Sequence, residues 1–97
     1  MNKREKLVEL YLIYGNLLTN NERSYFEYYY YEDYSLTEIA ENHNVSKANV
    51  SKVINIVNEK LFEYEEKLKI NERNKKIKEI IKKTNDKNLL EKIDELL

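Results

Sequence analysis

The stretch Leu36-Thr37-Glu38-Ile39-Ala40-Glu41-Asn42-His43-Asn44-Val45-Ser46-Lys47-Ala48-Asn49-Val50-Ser51-Lys52-Val53 reads as two helices joined by a tight turn. Ile39 and Ala40 fall where the first helix must press on the second, and Ala40 is small, as a close crossing requires. Asn44 stands where the turn needs positive φ, which Asn tolerates better than any residue but Gly. Val45, Val50 and Val53 supply apolar contacts for the turn and for the inner face of the second helix. This is the pattern of a helix-turn-helix, whose second helix is shaped to enter a DNA major groove. Many such units only pack protein against protein, so the pattern by itself leaves both uses open.

Capping chemistry marks the same boundaries. Ser35-Leu36-Thr37-Glu38 is a capping box, with Ser35 at N-cap and Glu38 at N3. Tyr34 and Ile39 occupy the positions of a hydrophobic staple around it. Ser46 is the N-cap of the second helix, and Val45 with Val50 repeats the staple spacing. Two start signals so close together define a short helix, a turn and a new helix.

Further out, composition supports an all-α chain. The 97 residues contain no proline and one glycine, Gly15, whereas strand-rich small domains need turn residues. There is no cysteine, so disulfides and thiolate chemistry are excluded. No apolar run approaches the roughly 20 residues of a membrane span. The N-terminal segment lacks the apolar centre of a signal peptide. The expectation is a cytoplasmic protein without membrane insertion.

Apolar residues at three- and four-residue spacing define the helices. Leu7, Leu10, Tyr11, Tyr14, Leu17 and Leu18 predict a first helix from about Lys3 to Leu18. A second capping box, Thr19 with Glu22, opens a helix carrying Tyr25, Phe26, Tyr29 and Tyr30 and ending near Glu32-Asp33. The third helix is Leu36 to about Asn42. The fourth starts after Ser46 and has no stop signal until about Ile70, with Val50, Val53, Ile54, Val57, Leu61, Tyr64 and Leu68 along it. At 1.5 Å per residue such a helix is about 35 Å long, more than three short helices can cover. Beyond it Ile77, Ile80, Ile81 and Thr84 line one face, Asn85-Asp86 suggests a break with Asp86 as N-cap, and Leu89, Leu90, Ile93, Leu96 and Leu97 line a final helix. Segments this short are unstable alone and must dock. The expected organisation is a core domain, 1–70, and a helical extension, 71–97. The extension would serve a homodimer through Leu61, Tyr64, Leu68, Ile77, Ile81, Leu90 and Ile93, or complete the core of its own chain.

Little in the chain can do chemistry. His43 is the single histidine and reads as a solvated turn residue; no second His or Cys exists to build a transition-metal site. Glu63, Glu65 and Glu66 lie among Lys60, Lys67 and Lys69, the pattern of an ion-paired helix face. Gly15 has no partner glycine for a phosphate loop. The run Tyr28-Tyr29-Tyr30-Tyr31 points in four directions on a helix and cannot form one stacking platform for single-stranded nucleic acid. No enzyme activity, cofactor or metal is expected.

Charge divides the helix-turn-helix region. Residues 19–58 hold Arg23, Lys47 and Lys52 against six acids, a net of −3. DNA affinity rests heavily on phosphate neutralisation. All six acids precede the second helix of the motif, however. Its exposed positions, Ser46, Lys47, Asn49, Ser51, Lys52 and Asn55, are neutral or basic and form the candidate DNA-contact set.

Residues 14–68 also resemble the YlxM-like helix-turn-helix proteins of low-GC Gram-positive bacteria and mycoplasmas. The resemblance is carried by Tyr14-Gly15-Asn16-Leu17-Leu18-Thr19-Asn20-Asn21-Glu22-Arg23-Ser24-Tyr25, by Tyr29-Tyr30-Tyr31-Glu32-Asp33-Tyr34-Ser35-Leu36-Thr37-Glu38-Ile39-Ala40-Glu41, and by Leu61-Phe62-Glu63-Tyr64-Glu65-Glu66-Lys67-Leu68. It implies a helical bundle similar to the DNA-binding region four of bacterial sigma factors, and a regulatory tie to the signal recognition particle pathway. The chain departs from the family pattern at the opening of the recognition helix. Lys47 stands where the family usually has Arg, losing the planar fork suited to guanine. Ala48 replaces Gln, and Lys52 replaces Asp. Two functions follow: a regulator that binds double-stranded DNA, or a protein- or RNA-interaction module of the signal recognition particle and secretion machinery.

Overall fold

Among the described residues the chain forms six α-helices: α1 (Lys3–Tyr14), α2 (Asn20–Tyr30), α3 (Leu36–His43), α4 (Lys47–Leu68), α5 (Ile70–Lys83) and α6 (Lys87–Leu96). The structure is a computed structural model that describes residues 2–83 and 87–96, apart from the side chain of Leu90. No strand occurs among the described residues, and the chain is all-α.

Each early boundary has a local cause. Asn2 caps α1 by accepting from the N–H of Glu5 at 2.8 Å. Both capping boxes are closed: Thr19 and Glu22 exchange hydrogen bonds at the start of α2, as do Ser35 and Glu38 at the start of α3. Two expected ends differ. The first helix stops at Tyr14, and Gly15–Leu17 form a single 3-10 turn. Gly15 is buried in that turn, and a Cβ there would meet the Tyr11 ring at 3.2 Å. The second helix ends at Tyr30 because the chain reverses through Asp33 at φ 56°, sending the Tyr34 N–H back to the Tyr28 carbonyl.

The first half of α4 packs on α3 and α2, and its second half on α1. Two adjoining clusters result. One joins Leu7, Leu10, Tyr11, Tyr14, Leu18 and Phe26 to Val57 and Leu61 of α4. The other joins Tyr25, Ile39 and Ala40 to Val50 and Ile54. The tyrosine run divides between them. Tyr30 packs on Phe26 and bonds Asn58, whereas Tyr28 stacks on Tyr34.

An elbow at Lys69, φ 52°, separates α4 from α5. Three N–H groups at the start of α5 need partners. The Tyr14 hydroxyl donates to Glu65 Oε1 at 2.7 Å and accepts from the Ile70 N–H at 3.1 Å. The Glu65 carboxylate accepts from the N–H groups of Asn71 and Glu72. Burial, and then the bond to Glu65, push the Tyr14 pKa up, so its hydroxyl remains a donor. Glu9 of α1 pairs with Lys75 at 2.8 Å, holding α5 against α1. The tail thus turns back on its own chain.

This docking corrects part of the expected dimer surface. Leu61 is fully buried between α1, α2 and α4, and Ile81 is buried as well, so neither is free for a partner. Tyr64 is half-buried against Tyr14, and Ile77 and Ile93 are half-buried. Leu68 is exposed, as are Ile80, Leu89 and Leu96. The Leu90 side chain lies outside those described, as do Thr84, the expected break at Asn85-Asp86, and Leu97.

Candidate nucleic-acid interface

The turn between α3 and α4 is closed by backbone bonds that only a left-handed residue permits. Asn44 adopts φ 55°, ψ 43°, and its N–H and that of Val45 return to the end of α3. Ile39 is fully buried at the crossing, and Ala40 beside it is 6% exposed. Val50 is fully buried and Val53 half-buried, while Val45 stands partly exposed at the outside of the turn. His43 is not a solvated turn residue: its ring packs on Tyr25 at 4.8 Å and on Tyr28 at 5.6 Å. The histidine helps seat α3 on α2.

Beyond this turn α4 begins with the Ser46 hydroxyl accepting from the Asn49 N–H at 3.0 Å. Ser46, Lys47, Asn49, Lys52 and Asn55 are exposed, and Ser51 is half-buried. They do not share one stripe. At 3.6 residues per turn, the line opposite the buried Val50, Ile54 and Val57 runs through Ala48, Lys52 and Asn55. Ser51 flanks that line on one edge, with Asn49 and Ile56 on the other, while Lys47, seven residues before Ile54, falls near the inner line and is exposed at the first turn of the helix. Ala48 is thus at the centre of the outer face, a position missed by a reading that looked for polar residues; the helical phase of the buried valines is the signal that finds it. Its methyl suits apolar contact with a thymine methyl. Glu59 ends the neutral-to-basic stretch with an exposed acid.

Neither Lys47 nor Lys52 has an ion-pair partner among the described residues, so both charges face solvent unneutralised. Many cations elsewhere are engaged. Arg4 pairs with Asp33, Lys60 with Glu22, Lys67 with Glu63, Lys76 with Glu72 and Lys78 with Asp94. Burial favours the neutral acid of Glu22, but bonds from Lys60 and Thr19 outweigh it and hold the carboxyl below its ordinary pKa. On the other helix of the motif, Glu38 and Glu41 are exposed.

Residues 1–96, nearly the whole chain, match the family described as "Putative helix-turn-helix protein, YlxM / p13 like", UPF0122. The chain belongs to the UPF0122 family. A UPF0122 protein of Ureaplasma urealyticum serovar 10 is 41% identical over 95 residues, spanning 98% of this chain and 96% of that relative. A UPF0122 protein of Lactococcus lactis subsp. cremoris is 37% identical over 101 residues, spanning 99% and 91%. One from Clostridium kluyveri is 38% identical over 96 residues, spanning 99% and 82%. The structure of this UPF0122 member contains no cluster of His, Cys, Asp and Glu able to hold a metal ion among the described residues, and no described helix is long and apolar enough to cross a membrane.

Proposed function

We propose that the protein is a regulator that binds double-stranded DNA through α4, with Ser46, Lys47, Asn49, Ser51, Lys52 and Asn55 around Ala48 as the contact face. The observation that carries this reading is the exposed outer face of the N-terminal half of α4, whose inner face packs on α2 and α3 while Lys47 and Lys52 stand unpaired beyond a left-handed Asn44 turn. In this role Lys47 and Lys52 contact phosphate or base edges, and the two asparagines read bases beside them. With a net charge of −1, one copy binds weakly and loses affinity steeply with salt. Useful affinity then comes from a homodimer presenting two recognition helices about one DNA turn apart, roughly 34–36 Å. The extension, 71–97, supplies the dimer surface from its exposed Ile80 and Leu96. Sedimentation of the full chain, and of an Ile80→Glu/Leu96→Glu variant, measures this; identical monomer masses at tens of micromolar count against it.

The test of DNA recognition is selection from random duplexes at near-physiological salt, with wild type against Lys47→Ala/Lys52→Ala. An enriched motif that the double variant loses supports the regulator. Absence of enrichment by the folded wild type removes it. The exposed acids Glu32, before α3, and Glu38 and Glu41, on it, favour a second reading, in which the fold is a protein- or RNA-interaction module. Under either reading we propose the signal recognition particle pathway as the process served, on the family resemblance alone. Capture from native lysate, with and without nuclease, separates a nucleic-acid tether from a direct protein contact.

A further inference from the structure

An open groove of about 580 Å³ lies along the Ser51 edge of α4. Ser51, Asn55 and Asn58 line it from α4, Lys3 and Arg4 from the start of α1, and Tyr34 from the α2–α3 connection. Ser51 and Asn55 belong to the candidate contact face, so the groove is continuous with that face. Arg4 is fixed at the rim: its guanidinium donates to the Tyr30 carbonyl and to Asp33 Oδ1, each at 2.7 Å. That pair neutralises Asp33, the one acid lining the groove. Lys3 is exposed and makes no ion pair among the described residues. The charge left in the groove is therefore that of an uncompensated lysine.

The two neighbours of α4 differ in sign. The helix α3 presents the exposed acids Glu38 and Glu41, which repel a phosphate strand. The start of α1 presents Lys3 with the neutralised Arg4–Asp33 pair. A duplex seated on α4 meets repulsion beside α3 and attraction across the groove.

We infer that the DNA-contact surface extends across this groove to the start of α1, where Lys3 binds a backbone phosphate of the duplex that α4 engages. The inference rests on the DNA-binding reading of α4 and adds a phosphate anchor outside the helix-turn-helix. Such a contact positions the duplex without reading sequence. It releases about one counterion's worth of salt dependence, a slope of about 0.9 in log K against log salt.

The probe is a fluorescein-labelled pool of random-sequence duplex DNA, titrated with full-length protein by fluorescence anisotropy over a range of NaCl concentrations. Lys3 has no bonded partner to lose, so Lys3→Ala keeps the fold, and circular dichroism verifies it. The expected result is a salt slope lower by about 0.9 and an affinity several-fold weaker. Lys3→Glu is weaker still, and Lys3→Arg stays near wild type. Lys82→Ala, an exposed cation on α5, leaves slope and affinity unchanged. If wild type binds and Lys47→Ala/Lys52→Ala weakens it, but Lys3→Glu binds as wild type does, the groove inference is overturned while the α4 reading stands. Equal losses for Lys3→Ala and Lys82→Ala overturn it too, since the effect is then one of diffuse charge. Failure of the folded wild type to bind the pool removes the inference and the reading beneath it.

Discussion

The chain through Leu68 and the chain beyond it are both amphipathic helices, yet they are held in place differently. Before Leu68 the helices converge on residues with almost no exposure, such as Phe26, Leu10, Ile39 and Val57. Beyond it, Ile81 is the one buried apolar residue among those described, while Ile80 is 64% and Leu96 80% exposed. The tail is positioned mainly by polar contacts: the Tyr14–Glu65 node at the elbow and the Glu9–Lys75 pair. The molecule measures 53 × 25 × 23 Å, with a radius of gyration of 16.5 Å against about 13 Å for a compact chain of about 100 residues. A strong apolar period therefore shows that a segment needs a partner surface, and not that it has one.

Core truncation draws the sharpest line between the regions. Phe26→Ala should cost about 3–5 kcal/mol, because the ring stacks on Tyr11 at 4.2 Å and its loss leaves a cavity. Ile80→Ala should stay within about 0.5 kcal/mol in a monomer. Urea denaturation measures both, and comparable losses would erase the distinction. Should Ile80→Ala prove costly only at high protein concentration, the distinction is sharpened, since the tail then gains its cover from a second copy.

Ala40→Leu comes next. Added bulk at the crossing of α3 and α4 should cost about 1–3 kcal/mol and disturb the turn through Asn44. An unchanged urea midpoint would show that the crossing has room to spare.

The elbow can be broken without touching either apolar cluster. Glu65→Ala leaves the N–H groups of Asn71 and Glu72 and the Tyr14 hydroxyl without their acceptor, at about 1–3 kcal/mol. Amide exchange at Ile70, Asn71 and Glu72 should accelerate while Ile39 and Val50 keep their protection. Uniform acceleration would mean that the tail and core unfold as one unit.

The smallest effect is set by pH. Burial favours the neutral acid at both Glu9 and Glu22, but the bond from Lys75 to the first, and those from Lys60 and Thr19 to the second, leave both pKa values below ordinary. A carboxyl lowered on folding stabilises the native state above its unfolded pKa, about 4.3 for Glu. That contribution disappears as pH falls through the lower folded value. Stability should therefore decline below about pH 4, and Glu22→Gln should flatten the decline. An identical acid transition in wild type and variant would show that the Glu22–Lys60 pair contributes nothing.

Sequence alone determined the all-α class, the caps at Thr19, Ser35 and Ser46, the left-handed Asn44 and the buried Ile39–Ala40 crossing. These features are legible because their partners lie within a few residues, where spacing along the chain is spacing in space. It also marked Lys47 and Lys52 as exposed residues of α4. Other decisions belonged to tertiary structure. Nothing in Leu61–Lys83 contains proline or glycine to break a helix. The bend at Lys69 instead depends on the Tyr14 hydroxyl, 51 residues before Glu65 and 56 before Ile70. Leu61 and Leu68 share one apolar stripe, but only Leu61 meets α1 and α2 and becomes buried. Lys3 reaches the Ser51 edge of α4 only because α1 lies across it. Long-range juxtapositions of this kind leave no periodic trace in the chain, since no local rule requires the distant partner.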